Sequence, residues 1–419
     1  MLFRMALRNI FRHKRRTVIT TLTIAVGVMV FLWADGIYRG MHRQMAENVI
    51  YYLHGSIMLM QRAYAEEEKS LPLRYFFEDE SVLETELLQF QEITGGTGRI
   101  PFVGEILAQG RNLHVLGYVV DVPQDTLVFR LSQALVKGDF FQGKSDELLI
   151  GADLARTLEL NVGDELILAV QTKYGTYNAL TVRVAGIFRT THPQVDEGAV
   201  FVSRETARAL LDIGEKEFIT YHIGVHWPKG ESVEHYTQRV ERIAQKLSQR
   251  FPEYVVVSFA KRYAEVFTLM KTDESFMYIM LLVIFLIASV GIVNTILMAV
   301  HERMKEIGIM RAMGFSSFQI RWLFVMEGMW LGVVGGAAGL FFGFLLNLYQ
   351  VYWGYDMEAW GLTSGSDFGL PIWGTIYGDW NPPAFAMAFV FSVIMAAFAA
   401  FIPSRYATRI TVTECLRFL

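Results

Sequence analysis

Apolar residues run almost unbroken through four windows of this chain, residues 17–37, 276–300, 322–349 and 384–402, and none of the four contains Lys or Arg. Each can cross a hydrocarbon core of about 30 Å, which takes roughly 20 mostly apolar residues in a helix. The expected fold class is therefore a polytopic α-helical membrane protein with four transmembrane helices. Between the first and second windows lies a stretch of ordinary polarity, residues 38–275, which reads as a large α/β domain set between two spans.

Within that stretch the pattern predicts strands over 55–61, 99–104, 114–119, 147–151, 165–170, 181–188, 199–202 and 254–259. It predicts helices over 81–93, 130–137, 152–158, 203–211 and 233–250, a turn at 174–176, and a helix from Arg262 that continues into the second window. The order suggests a nested pair: an outer α/β lobe made from both ends of the segment, with a β-rich lobe inserted into it. Residues 221–228, YHIGVHWP, read as a strand, so His222 and His226 lack the helical i, i+4 presentation that a zinc site uses, and no metal site is expected.

Composition and charge then orient the spans. Hydrophobic residues make up 53% of the 419 and charged residues 19%, below the roughly 25% charged of soluble domains. The leader, residues 1–16, carries Arg4, Arg8, Arg12, Lys14, Arg15 and Arg16 with no acid. The loop 301–321 is rich in Arg and Lys, and the tail 403–419 carries Arg405, Arg409 and Arg417. The loop 350–383 has no Lys or Arg but holds Asp356, Glu358, Asp367 and Asp379. The positive-inside rule puts the first three segments and both termini in the cytoplasm, and 38–275 and 350–383 outside. A cleaved signal peptide is the rival reading of the first window, but Trp33-Ala34-Asp35-Gly36 offers no small-x-small site. Phe3, Leu7, Ile10 and Phe11 fall on one side of the leader, which reads either as a helix in the headgroup plane or as a basic topology signal. The loop 350–383 is packed with Tyr352, Trp353, Tyr355, Trp360, Trp373, Tyr377 and Trp380, and is expected to lie flat at the outer membrane interface.

Several motifs bear on chemistry. Residues 138–145, GDFFQGKS, fit the phosphate-loop pattern letter for letter. A working loop follows an apolar strand and opens a helix, whereas here a polar, helical reading of 130–137 precedes it and a strand over 147–151 follows. A glycine-rich turn is the expectation. The single cysteine, Cys415, leaves the large domain without a disulfide, and no catalytic motif is visible. In the third window Gly328, Gly332 and Gly336 form one ridge at i, i+4 spacing, and Gly335, Gly339 and Gly343 form another, so helices of this chain or of a partner can approach closely there. Asn294 reads as a buried amide in the second span with an interhelical hydrogen bond.

The loop 301–321 carries Glu302, Arg303, Lys305, Glu306, Arg311 and Arg321 amid Ile307, Ile309, Met310 and Met313, so it reads as a two-faced helix. Such a helix suits the groove of a soluble partner. Its run Glu302-Arg303, Glu306-Ile307-Gly308 and Arg311-Ala312-Met313-Gly314 resembles the E-R-x-x-E-I-G-x-x-R-A-x-G signature of FtsX-like and MacB-like ABC transporter permeases. The large domain resembles the MacB-type periplasmic core at Ile150-Gly151-Ala152-Asp153-Leu154-Ala155, Leu160-Asn161-Val162-Gly163-Asp164 and Val184-Ala185-Gly186-Ile187-Phe188. The tail 402–417 is similar to the family ending, with Val412 and Cys415 replacing the usual Pro and Ala. His54-Gly55-Ser56-Ile57, residues 117–121, Phe188-Arg189-Thr190 and Asp196 resemble lipoprotein-releasing (LolC/LolE-type) permeases more than MacB efflux pumps.

The resemblance implies a type VII ABC transporter-like architecture, with an FtsX-like permease domain over about residues 276–412. It implies that Glu302, Arg303, Glu306, Gly308, Arg311 and Gly314 belong to a coupling helix docked on a separate cytoplasmic ATPase, which binds ATP and Mg; this chain is expected to bind no cofactor and to catalyse nothing itself. It further implies a second permease, the same or a related chain, with cargo held between paired first and second spans, where Met29, Leu32, Trp33, Met277, Met280 and Ile284 would face it. The expected cargo is a lipoprotein or another amphiphile, and nucleic acid is not an expected partner. MacB-like efflux and an FtsX-type transmitter that switches an exterior partner are the alternatives.

Overall fold

A backbone immersed in lipid must satisfy its own N–H and C=O groups, so the four apolar windows are required to be helical. The computed structural model describes residues 6, 14–78, 81–87, 89–143, 146–190, 192–356 and 375–409. The chain divides into two compact units, a helical one (Met1–Met41, Thr268–Tyr355, Ile376–Leu419) and an α/β one (His42–Phe267, Asp356–Thr375). Most of the leader, the tail beyond Arg409 with Cys415, and residues 357–374 with Trp360 and Trp373 lie outside the described residues.

Four helices are long and apolar enough to cross a membrane, Lys14–His54, Met277–Glu302, Ser317–Tyr352 and Pro382–Thr408. The first continues past residue 37 as an α-helix to Asn48 and then as one π turn, Val49–His54. Arg39 with Asp35 at 3.6 Å and Arg43 with Glu47 at 3.0 Å are i, i+4 pairs that support this polar continuation. The third begins earlier than its apolar window, at Ser317, because Ser316 and Gln319 form a reciprocal capping box.

The glycine ridges of the third helix face neighbours in the same chain. A Cβ on Gly332 would lie 2.9 Å from the Ser392 carbonyl oxygen and the Ala396 Cβ, and Gly328 and Gly336 likewise abut the fourth helix at Ala396, Ala400, Ser392 and Phe389. On the other ridge a Cβ on Gly339 would lie 2.7 Å from the Ala25 carbonyl oxygen and 2.6 Å from the Val28 Cβ, while Gly335 meets Ile24 and Gly343 meets Leu32 of the first helix. Only glycine permits this closeness on both sides.

A polar network ties the far end of the same helix. Asn347 donates to the Leu32 carbonyl at 2.9 Å, and Gln350 donates to the Asn347 Oδ1 at 2.7 Å. Asn381 donates to Asp35 at 2.8 Å. All four side chains are buried. Asn294, expected to be the buried amide, is instead exposed on the second helix, and its side chain makes no hydrogen bond among the described residues.

The α/β unit is organised by one long strand. β1 (Ile57–Gln61), β9 (Thr220–Val225) and β10 (Tyr254–Ser258) form an antiparallel sheet with the first half of β2 (Ile93–Ala108) in the order β10-β1-β9-β2. The second half of β2 leaves that sheet and enters a closed ring: β3 (Arg111–Val120), β8 (Ala199–Ser203), β5 (Glu147–Gly151), β7 (Tyr177–Phe188), β6 (Glu165–Gln171) and back to β2. The expected nesting is thus realised by a barrel whose entry strand is shared with the outer sheet. Ile106, Val115, Leu148, Leu168, Val184 and Val200 are buried inside it, alternating with outward residues as closure demands.

Two expected elements differ. The helix foreseen over 81–93 stops at Leu87, and β2 begins at Ile93. Residues 130–137 are a 3₁₀ turn, Leu131–Ala134, followed by β4 (Leu135–Gly138) paired with β7, so β-ladder hydrogen bonds replace the helical ones. Gly138 and Gly143 both take positive φ, and the chain next forms strand β5 rather than a helix; Lys144 and Ser145 lie outside the described residues. Among the described residues, no helix begins directly after this glycine turn, where a phosphate loop would place its helix N-terminus.

Where β2 crosses from sheet to barrel it carries a buried cation. The Arg99 guanidinium donates to both Asp125 oxygens, at 2.8 and 3.0 Å, and stacks over Phe129 at 3.3 Å from its centroid. Nearby, His222 donates its Nδ1–H to the His54 carbonyl at 2.7 Å, and Thr220 completes its second nitrogen at 2.9 Å.

Titration of buried groups gives the α/β unit a directed pH response. Burial pushes the Asp196 carboxyl up to about 6, although the Thr190 N–H and hydroxyl both donate to it at 2.8 Å. Burial also holds His222 and His192 below the ordinary imidazole range. A raised carboxyl contributes stability that is present below its unfolded pKa and lost as pH rises through about 6, whereas depressed histidines contribute stability lost as pH falls. Asp196→Asn keeps the acceptor and removes the buried charge. It is expected to raise stability near pH 7.5 by roughly 1–3 kcal/mol, with the gain vanishing toward pH 4. Thermal unfolding of the detergent-solubilised protein at both pH values checks this; an equal gain at both, or none at the higher pH, would refute the charge origin.

Candidate functional site

The loop expected to carry a coupling helix is built from a break and a stop. The second long helix ends at Glu302, Arg303 leaves helical geometry at φ −110 and ψ 21, and a short helix, Met304–Ala312, follows. It stops at Gly314, whose φ of +96 only glycine takes without strain. Phe315 N–H donates to the Met310 carbonyl and Gly314 N–H to the Arg311 carbonyl, both at 3.1 Å, the paired bonds of a Schellman stop.

One face of this helix is anchored. Met304, Ile307 and Gly308 are buried, the first two in the same cluster as Ile320 and Phe324 of the third long helix and Val300 of the second. Its other face carries Lys305 and Glu306, exposed, and Arg311, half-buried. Ile309 at 51%, Met313 at 66% and, past the turn, Phe318 at 68% exposure put apolar groups beside those charges. A charged face bearing exposed apolar side chains is the composition of a surface that another protein can cover.

Six residues were expected to belong to the coupling helix, and the structure places them in different surroundings. Glu306, Arg311 and Gly314 lie on it. Gly308 is buried, because its position faces the bundle. Arg303 is also buried, with Nη1 donating to Glu327 of the third helix at 2.7 Å. Glu302 ends the long helix and pairs with Arg16 at 3.4 Å, near a 2.6 Å hydrogen bond between Thr20 and Thr295. Arg303 is thus drawn into the helix bundle, whereas Glu302 stays exposed while paired with Arg16, each with a partner remote in sequence. Sequence reasoning missed Glu327; its signal was a lone carboxylate in an apolar span, which needs a partner.

The residues expected to face a membrane cavity also divide. Met29, Met277 and Met280 are half-buried on the first and second helices. Leu32, at 1% exposure, packs instead on the glycine ridge at Gly343. Ile284 abuts Gly27, where an added Cβ would lie 2.9 Å away, and so seals the first helix to the second. Trp33 donates its indole N–H to the Tyr355 hydroxyl at 2.9 Å. Tyr355 in turn lies against Tyr349, which stacks on Trp353, so the described part of the aromatic loop begins as a ring cluster. Outward-facing Leu282, Leu286, Ile287, Val290, Phe341 and Phe344 leave the bundle an apolar surface, as a lipid environment requires.

Comparison with known proteins agrees with this architecture. Residues 17–243 match the MacB-like periplasmic core domain family, and residues 278–412 match the FtsX-like permease C-terminal family. The lipoprotein-releasing system transmembrane protein LolC of Buchnera aphidicola subsp. Schizaphis graminum is 23% identical over 204 residues, covering 47% of this chain and 48% of that one. The chain thus spans about half the length of that relative. An uncharacterized ABC transporter permease of Methanocaldococcus jannaschii is 24% identical over 431 residues, covering 98% of this chain and 96% of the relative. Among solved structures, the periplasmic region of MacB from Actinobacillus actinomycetemcomitans aligns with a TM-score of 0.32 and 9% identity, over 50% of this chain and 91% of that one. With the core-domain family matching more than half of the 419 residues and the permease family much of the rest, the chain belongs to the ABC transporter permeases that combine a MacB-like periplasmic core domain with an FtsX-like C-terminal domain.

Proposed function

We propose that this chain is the permease subunit of an ABC transporter in which a separate ATPase, holding ATP and Mg, drives extraction of an amphiphile from the membrane, and that the amphiphile is a lipoprotein. The observation that carries the reading is the short helix Met304–Ala312, fixed by buried Met304 and Ile307 while Glu306, Ile309 and Met313 remain exposed. A rigid helix between two long apolar helices converts movement of a bound partner into movement of those helices, which a slack loop cannot do.

In this reading residues 1–16, 301–321 and 403–419 lie in the cytoplasm, and 38–275 and 350–383 lie outside the cytoplasmic (inner) membrane. A second permease, the same or a related chain, faces the first and second helices, and Met29, Met277 and Met280 line the cavity between them. Flexible, polarizable methionine suits acyl chains of variable shape. Lipoprotein as cargo is supported by the relative whose name states that activity and by the His54-Gly55-Ser56-Ile57 and Thr190 to Asp196 resemblances.

The test is the response of the purified permease and ATPase complex in lipid nanodiscs. Acylated lipoprotein is expected to stimulate ATP hydrolysis and to leave the disc as ATP is consumed. Stimulation only by a macrolide would replace release with efflux, and stimulation only by a cell-wall hydrolase would replace transport with transmission.

A further inference from the structure

The buried Arg303 and Glu327 pair has no place in a docking face, yet it sits where the short helix meets the long ones. Arg303 occupies the single non-helical position between the helices Ala264–Glu302 and Met304–Ala312. Its side chain is 7% exposed and that of Glu327 5%, with 2.7 Å between Nη1 and Oε1. Glu327 precedes Gly328, the first glycine of the ridge that abuts Ala396 and Ala400 of the fourth helix.

Consider the mechanics of that arrangement. A chain that leaves helical geometry at one residue can hinge there, and the apolar contacts of Met304 and Ile307 resist separation without fixing direction, since hydrophobic burial is non-directional. A charge-assisted hydrogen bond in a low-dielectric bundle is directional and resists sliding. Its contribution to net stability is small, because desolvating two charges offsets most of their attraction. What it adds is geometry.

We propose that Glu327 is a positioning residue: through Arg303 it clasps the short helix to the third helix, so that displacement of the short helix is delivered to the third helix and, across Gly328, to the fourth. Without the clasp the same displacement is absorbed by rotation at residue 303. The functional half of this inference rests on the ATPase-coupled reading above; the structural half rests on the pair alone.

The experiment uses the full-length chain in nanodiscs, with and without its ATPase, and compares the parent with R303M/E327L and with R303K. The double variant removes both charges, which buried pairs tolerate far better than loss of one partner; R303K keeps a cation opposite Glu327. Hydrogen exchange of the Met304–Ala312 amides is expected to quicken about tenfold or more in R303M/E327L, with less change in R303K and none in the large domain. ATPase binding should persist, while lipoprotein released per ATP falls about fivefold or more, since coupling and binding are separate free energies.

Parental exchange in R303M/E327L overturns the clasp, as does quickened exchange with parental release per ATP. If the double variant does not insert, the single isosteric change E327Q carries the same exchange criterion. A parent complex that shows no lipoprotein release at all, with exchange still clasp-dependent, overturns the transport reading and leaves the clasp standing.

Discussion

On the proposed ATPase-coupled function, a chain carrying Ile309→Glu and Met313→Glu is expected to insert, fold and melt like its parent but to lose its ATPase. Both side chains are more than half exposed, so the substitutions remove little packing. They place two new carboxylates beside Glu306 and strip the apolar groups from the centre of the docking face. Loss of two such anchors is expected to weaken binding by about 100-fold, on the scale of about 3 kcal/mol at a protein interface. Glu306→Ala with Arg311→Ala should weaken it about tenfold, because rim charges contribute less than desolvated apolar anchors. Co-purification and titration with labelled ATPase give the comparison. Ile307→Glu serves as the contrast: that residue is fully buried, and its variant should fail by misfolding rather than by selective loss of the partner. Retention of parental affinity in the Ile309 and Met313 variant would remove the short helix from the interface.

The second large effect belongs to the glycine ridges. Leucine at Gly332 or Gly339 cannot be accommodated, because even a Cβ there would press on the backbone carbonyls of Ser392 or Ala25 at under 3 Å. Separating those helices costs on the order of 3 kcal/mol or more at each site, a large part of the stability of a helix bundle. Gly291→Leu is the matched control, since a Cβ at Gly291 meets open space on the second helix. Unfolding in graded detergent mixtures should show early loss for G332L and G339L and a parental curve for G291L. A parental curve for G339L would mean that the first and third helices are not in contact along that ridge.

How much of this was legible in sequence follows from where the pattern carries information. The apolar windows, the strands β1, β5 and β6 and the helix Val233–Arg250 could be read because length or alternation marks them. The extension of the first helix to Asn48 could not, because YRGMHRQMAEN has neither an apolar run nor a clean stripe. Helix faces inside the membrane were the weakest point. A helix that is apolar all round has no periodicity to show which side is buried. Asn294 was accordingly read as inside, and Asn347 and Gln350, which are inside, went unnoticed.

The same blindness affected the short helix. The two-faced pattern does not reveal that Arg303 is buried against Glu327, or that Glu302, still exposed, pairs with Arg16, because both partners are remote in sequence. Closure of the barrel was hidden for a related reason: the pairing of β2 with β6 and of β3 with β8 joins strands far apart in sequence. Long-range pairing fixes topology, and the local pattern fixes only the elements.

The most direct measurement places a photo-crosslinking amino acid at Met313 in the full-length chain, expressed in its source cell with the ABC ATPases present there, and maps the captured partner by mass spectrometry. Capture of the ATPase from Met313, with none from the same probe at the outward-facing Val290 of the second helix, is the expected result. Capture of lipid or neighbouring helices alone from Met313, with the ATPase bound elsewhere or not at all, would contradict a permease driven through this helix.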